Sequence, residues 1–256
     1  MWETNFNISH NKNKVLDLGN VESFFANSSY DPNIFPNAFI VKKGESIGAM
    51  YGRVYEGVYQ YNDFLDFYIT NDQGDMTLMS LEECAAKYNA ISKSKGSFTL
   101  APGIASRAGV VVGPGMAKYK DLDGNGIVND EDRKVIGRSD PLLYGGITNN
   151  FTFKDFDVSV FFQYSIGNDI LNASYAALSM RYVNMNKTVD IWENSWKPLS
   201  PSNRYPYMTE LEGNSLLPST LVVEDGSYLR LKDFTIGYTL PKKILSRFKL
   251  SNLRLY

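Results

Sequence analysis

The stretch Leu143–Tyr164, LYGGITNNFTFKDFDVSVFFQY, decides the fold. Leu143, Gly145, Ile147, Asn149, Phe151 and Phe153 share one face, and Tyr144, Gly146, Thr148, Asn150 and Thr152 share the other. Successive side chains of an extended chain point to opposite faces, so a period of two means strand. Lys154 and Asp155 form a two-residue turn. Phe156, Val158, Val160, Phe162 and Tyr164 then alternate against Asp157, Ser159, Phe161 and Gln163. The reading is a long antiparallel hairpin with one apolar and one mostly polar face. Each arm is about ten residues, the length a tilted strand needs to cross a bilayer.

Downstream, Tyr228–Leu240 is another long strand whose apolar phase slips at Lys232–Asp233, which implies a bulge. Past it, Phe234, Ile236, Tyr238 and Leu240 oppose Thr235, Gly237 and Thr239. Pro241 ends the strand, and PKKILSRF is a short basic helical turn. Asn252–Tyr256 opens one more strand that stops while still alternating; an unpaired edge there reads as truncation. Upstream, Trp2, Thr4, Phe6 and Ile8 alternate with Glu3, Asn5, Asn7 and Ser9, again a strand.

Between these elements lie long excursions. Residues 10–36, rich in Asn, Ser, Asp and Pro, read as a loop. From Ala49, the residues Tyr51, Arg53, Tyr55, Gly57 and Tyr59 fall on one face, and Gly48, Gly52 and Gly57 imply kinks or close approach. Residues 61–118 form a large excursion in which Ser80-Leu-Glu-Glu83 is a capping box opening a helix through about Ala90. A second excursion spans 167–226, with a helix expected over about 169–183. Trp192, Trp196, Tyr205 and Tyr207 follow, interleaved with Pro, Asn and Ser. These four are weak candidates to stack on a substrate's sugar rings or on a protein partner, and equally suited to a small core of the loop itself.

Composition sets outer bounds. The 256 residues suffice for one large all-β unit or two small domains. Hydrophobic residues make up 43%, and a formal net charge of -2 leaves no electrostatic footprint for nucleic acid. The single cysteine, Cys84, excludes an internal disulfide. No run of about 18 apolar residues marks a transmembrane helix. The opening MWETNF lacks the charged start and apolar stretch of a signal peptide. His10 is the only histidine, which removes any metal site built on several imidazoles, and nothing marks it as part of a Ser-His-Asp triad.

Just before the hairpin, Tyr119–Asp132 reads YKDLDGNGIVNDED. Asp121, Asp123, Asn125, Asn129 and Asp132 fall at positions 1, 3, 5, 9 and 12 of a twelve-residue loop, and Gly126 at position 6. That is the calcium-loop spacing of an EF-hand. Hard oxygen ligands suit Ca²⁺, and Gly126 permits the sharp turn that lets them converge. Ile127, at position 7, would offer its backbone carbonyl. Asp132 stands where a longer Glu is usual, so bidentate reach is reduced. Flanking helices at EF-hand spacing are absent, so a structural rather than a sensing role is expected. The bland alternative is a solvated acidic turn.

Several of these stretches, in this order, resemble the SusC/RagA family of TonB-dependent outer-membrane transporters of Bacteroidota. They are residues 119–133, Val-Ile-Gly at 135–137, Tyr144-Gly-Gly, FKDFDVSVFFQ at 153–163 and Gly167-Asn-Asp. FNISHNKNKV at 6–15, GESIG at 44–48 with Tyr51-Gly, and SYLRLKDFTIGYTLP at 227–241 add to the likeness. The likeness runs from near residue 1 to residue 256, and residues 61–118 match poorly. It implies an all-β fold: part of a transmembrane antiparallel β-barrel with long extracellular loops containing short helices. Residues 1–256 would be a C-terminal portion of the barrel, with the plug, the N-terminal strands and the closing strands absent. Whole barrels of this kind have about 22 strands and a plugged lumen. The resemblance further implies import of glycan oligosaccharides or peptides, a SusD-like surface lipoprotein as lid, TonB, ExbB and ExbD acting through the plug, and lipid around the wall.

Topology follows from loop length. Short turns of such barrels face the periplasm and long loops face outward. Lys154–Asp155 is then periplasmic, the calcium-type loop and 167–226 extracellular, and Pro241–Ser251 periplasmic. One competing reading is a soluble calcium-dependent carbohydrate-binding or adhesion β-module of the dockerin kind, although such modules carry the calcium pattern twice. The other is a glycosidase with paired carboxylates. Glu82 and Glu83 lie on a surface helix, and no nucleophile has a base nearby, so no enzyme is expected.

Overall fold

The computed structural model describes residues 1–26, 37–176, 186–207, 217–246 and 250–256. Its longest sheet has five antiparallel strands in sequence order: β1 (Trp2–Ser9), β2 (Leu143–Phe153), β3 (Phe156–Ile166), β4 (Tyr228–Thr239) and β5 (Arg254–Leu255). The hairpin is as the alternation requires. Phe153 faces Phe156 across the turn, and Lys154 adopts φ 54°, the left-handed conformation that a tight two-residue connection needs. The expected bulge is also present. Phe161 pairs with Asp233 and Phe162 with Leu231, so Lys232 is the extra residue. Leu229 and Leu231 therefore stay on the same side as Phe234, Ile236 and Tyr238.

Register carries one apolar face across all five strands. Phe6 faces Ile147 and Phe162, Trp2 faces Phe151 and Val158, and Phe156 faces Tyr238. Trp2, Phe6, Phe151, Phe153, Phe156, Leu229, Leu231, Phe234 and Ile236 are exposed on it. The opposite face carries Glu3, Asn5, Asn7, Thr148, Asn150, Asp157, Ser159, Gln163 and Thr235. At about 3.3 Å per residue, the 11 residues of β3 span about 36 Å, or about 26 Å when tilted by 45°. That matches the apolar band of a membrane-spanning strand. Among the described residues no helix is long and apolar enough to cross a membrane.

The first excursion is larger than the sequence suggested. β1 pairs directly with β2, so everything from residue 10 to residue 142 is inserted between two neighbouring strands. The segment 10–36 is not loop throughout. Ser23–Ala26 is a strand paired with Phe39–Lys42, which joins Ala49–Gly52 and Lys134–Arg138 in a four-stranded sheet; residues 27–36 lie outside the described residues. The one-faced reading of Ala49–Tyr59 is interrupted. Pairing shifts between Tyr55 and Gly57, Gly57 sits at φ 123°, and a Cβ on Gly52 would lie 2.4 Å from the Pro218 carbonyl oxygen.

The helix α1 (Leu81–Lys93) starts at the expected cap. The Ser80 N–H donates to Glu83 Oε2 at 3.0 Å and the Glu83 N–H to Ser80 Oγ at 3.4 Å. It runs three residues past Ala90. The expected helix at 169–183 is replaced in its first turn by strand: Asp169–Leu171 pairs with Val223–Asp225, and among the described residues helix begins at Ala173–Tyr175. Residues 177–185 lie outside the described residues.

The two excursions pack into one body. Its main core joins Val58, Tyr59, Tyr61, Phe64, Phe67, Tyr88 and Met116 of the first to Trp196 of the second. Backbone bonds fasten the seam: the Arg53 N–H reaches the Pro218 carbonyl at 2.9 Å, and the Tyr207 N–H reaches Gly115 at 2.7 Å. Both excursions thus occupy the same end of the sheet, opposite the Lys154–Asp155 turn.

Candidate functional site

The calcium-type loop is built from turns that the sequence dictates. Gly124 and Gly126 take φ 77° and 83°, a region L-residues rarely enter. The Gly124 and Gly126 N–H groups donate to the two carboxylate oxygens of Asp121 at 2.8 and 2.7 Å. These bonds, that from Gly126 above all, hold the Asp121 carboxyl below the usual aspartate range. The Asn125 N–H donates to Asp123 Oδ1 at 3.0 Å, and the Ile127 N–H to Asn125 Oδ1 at 2.7 Å. Each bond curls the chain inward.

Asp132 closes the ring. Its carboxylate is fully buried and accepts the Leu122 N–H at 2.6 Å and the Asn129 N–H at 2.8 Å. One oxygen each from Asp121, Asp123 and Asp132 lie within 4.8 Å of one another. Oxygens 2.3–2.6 Å from a central calcium ion lie at most about 5.2 Å apart, so these three are close enough to share one. Three converging carboxylates, one of them buried and without an ion-pair partner among the described residues, present several anionic oxygens to one point. The donor set therefore fits a hard divalent cation. Asn125, Asn129 and the Ile127 backbone line the same loop. The Asn129 amide oxygen accepts the Glu131 N–H at 2.5 Å, and Ile127 pairs in parallel with Ser106.

Arg53 is a partner that the motif did not reveal, because it lies outside the twelve-residue pattern. It is 8% exposed, and its guanidinium donates to the Asn129 carbonyl and to Asp130, both at 2.9 Å. It ties the loop to the seam between the excursions, since its own backbone bridges to Ser219. Burial lowers the pKa of nearby Arg107 and Arg133 from the ordinary guanidinium value.

The four aromatic candidates separate. Trp196 is fully buried, with ring centroids 5.4 Å from Tyr61, 5.2 Å from Tyr88 and 5.6 Å from Tyr207. Tyr205 is 5% exposed, and its hydroxyl donates to Asp190 at 2.8 Å. Neither offers an open ring face, because each serves a core, and stacking on a substrate is corrected for both. Tyr207 is half-buried against Trp196. Trp192 is 69% exposed, with Lys197 Nζ 4.7 Å from its ring centroid.

No protein-family model matches the chain. TonB-dependent receptor P3 of Formosa agariphila is 32% identical over 255 residues, covering 100% of this chain and 21% of that receptor. TonB-dependent receptor P26 of the same organism is 27% identical, again over 100% of this chain and 22% of the receptor. The chain thus spans about a fifth of the length of the relatives it matches. The structure of the RagAB peptide transporter superposes with a TM-score of 0.58 at 16% identity, over 99% of this chain and 22% of that one. These relatives are outer-membrane β-barrel receptors and transporters, not enzymes. The chain is thus similar along its whole length to TonB-dependent receptors, and its fold is similar to that of the RagAB peptide transporter.

Proposed function

We propose that this chain forms a section of the wall and extracellular crown of an outer-membrane nutrient importer. The carrying observation is the five-strand register, which keeps an exposed apolar row on one face and a polar row on the other while both long excursions sit at one end. The apolar face meets lipid, the polar face lines the barrel interior, and the crown faces outward. Residues 121–132 hold Ca²⁺ through Asp121, Asp123 and Asp132, with Asn125, Asn129 and the Ile127 carbonyl completing the shell. The ion stiffens the base of the crown, where Arg53 joins the two excursions. Import is driven by TonB, ExbB and ExbD through a plug outside this stretch, with a SusD-like lipoprotein over the crown. Peptides, as for RagAB, or glycan oligosaccharides are the cargo classes.

Adjacent residues of β3 test the wall reading. In the full-length receptor, Val160→Arg puts a charge on the lipid face and costs about 2–4 kcal/mol. Ser159→Arg, one residue away on the interior face, leaves folding into vesicles close to wild type. Equal tolerance of the two would overturn the assignment of faces. Folding of the receptor without detergent or lipid would sink the barrel altogether.

A further inference from the structure

Where β1 leaves the wall and enters the crown, three segments distant in sequence enclose a cavity of about 400 Å³. Residues 10–14 form one side, residues 44–46 a second and residues 138–142 a third. Main chain holds the frame: the Val15 N–H donates to the Glu45 carbonyl and the Gly44 N–H to the Val15 carbonyl, both at 2.9 Å. Across the cavity, His10 Nδ1–H donates to the Leu142 carbonyl at 2.6 Å, and the Ile47 N–H donates to Asn13 Oδ1 at 2.7 Å. A carbonyl can only accept, so the proton sits on Nδ1.

The charges around this cavity do not balance. Lys12, Lys14 and Arg138 line it, against the carboxylates of Glu45 and Asp140. Both carboxylates are already engaged: Arg138 donates to Glu45 at 3.1 Å, and Asp140 accepts the Asn13 amide. Lys12 and Lys14 are exposed, and neither forms an ion pair with a described residue. Ser46 supplies an independent sign. Its hydroxyl oxygen lies on the cavity, is shielded from bulk solvent and has no hydrogen-bond partner among the described residues. Buried hydroxyls are rarely left unpaired, so this one marks the place of a ligand rich in acceptors.

We propose that this cavity binds a phosphate group through Lys12, Lys14 and the Ser46 hydroxyl. Lysine ammonium groups hold phosphate as point charges. The terminal oxygens of a phosphate monoester can accept from all three unspent donors at once, whereas a carboxylate offers two oxygens. Two sources carry such a group: a phosphorylated lipid headgroup in the leaflet on the crown side, or a free phosphorylated solute. Ile8 and Leu142, both exposed and apolar, place the cavity beside the upper end of the lipid-facing row. The lipid source rests on the wall reading; the anion site itself does not.

The test is calorimetric titration of the full-length receptor in detergent with inorganic phosphate. Saturable binding is expected, and added sodium chloride should weaken it. K12Q and K14Q should each lower the affinity about fivefold or more, and S46A about threefold. E45Q should tighten binding severalfold, because it frees Arg138 and deletes a repelling carboxylate; a merely structural Glu45 would not have that effect. No saturable binding, or binding that K12Q and K14Q leave unchanged, overturns the proposal. Should S46A or E45Q misfold, the two exposed lysine variants decide. Repeating the titration in phosphatidylethanolamine nanodiscs with and without phosphatidic acid separates the sources. Loss of phosphate binding beside phosphatidic acid assigns the site to a headgroup, and unchanged binding assigns it to a free solute. A receptor that fails to enter nanodiscs counts against the wall reading, while the titration in detergent still decides the anion site.

Discussion

Gly145 in β2 offers a sharp test of how the wall is assembled. A Cβ placed there would lie 2.2 Å from the Asn7 carbonyl oxygen, 2.7 Å from the Tyr164 hydroxyl and 2.9 Å from its Cζ. The first obstacle is main chain of the neighbouring strand and has no rotamer to escape into. The same Asn7 carbonyl accepts the Tyr164 hydroxyl at 2.9 Å, and Tyr164 packs beside Phe6 with ring centroids 6.2 Å apart. Gly145→Ala must therefore separate β1 from β2 locally or expel the tyrosine. Overpacking costs about 1–3 kcal/mol. Losing the hydrogen bond adds about 1 kcal/mol, and more where the abandoned carbonyl faces lipid. We expect a loss of about 2–4 kcal/mol, read as a shift of the denaturant midpoint of the full-length receptor folded in vesicles. Two controls apportion it. Tyr164→Phe should cost only the hydrogen bond, about 1 kcal/mol. Gly146→Ala meets the Phe161 ring edge at 2.5 Å, a side chain that can turn aside, and should cost less than Gly145→Ala. If Gly145→Ala matches wild type, or is milder than Gly146→Ala, the socket argument is wrong.

Chelating calcium should expose the 121–132 loop to protease while leaving the wall strands protected; an unchanged cleavage pattern removes the metal assignment. Asp132→Asn should weaken calcium binding about tenfold or more by calorimetry, equivalent to about 1.4 kcal/mol, since it takes one charge from the buried side of the ring. Because the folded Asp121 pKa is depressed, its stabilising contribution is present above the unfolded aspartate value of about 3.9 and lost as pH falls through the folded one. Loop protection should thus be flat between pH 5 and 8 and fail only in strong acid; a transition near neutrality would contradict this. Trp196→Ala should cost about 3–5 kcal/mol and loosen both excursions together in hydrogen exchange, whereas Trp192→Ala should stay within about 0.5 kcal/mol.

The parts legible in the sequence were those whose physics is local. A period of two in 143–164 needs no distant partner, and neither does the capping box at Ser80–Glu83 or the oxygen spacing of 121–132. The bulge at Lys232 was equally local, because one extra residue flips the apolar phase. The unreadable parts depend on contacts far along the chain. Nothing near Trp2–Ser9 announces that its neighbour is Leu143–Phe153. Asp169–Leu171 has helical room but is captured as strand by Val223–Asp225. Ser23–Ala26 is too short to show a period. Trp196 and Tyr205 sit among polar loop residues and look exposed, yet their covers come from other segments, Tyr61 and Tyr88 for one and Tyr175 and Asp190 for the other.

The placement of residues 10–142 between two neighbouring strands bears on how the chain folds. Closing a flexible loop of that length costs about 4 kcal/mol in chain entropy, which β1 and β2 would have to overcome before their first pair forms. The excursion removes most of that cost by holding its own ends together. His10 Nδ1–H donates to the Leu142 carbonyl at 2.6 Å, Asn13 bonds to Asp140, and the Ile47 N–H donates to Asn13 Oδ1 at 2.7 Å. A crown folded first delivers the two strands side by side at its base, so they zip from the crown end towards Trp2 and Phe151. Topology therefore predicts that the water-exposed body forms early and that the wall strands, apolar on one face, pair last. Hydrogen-exchange labelling during refolding in which β1 and β2 are protected before the crown would refute this order.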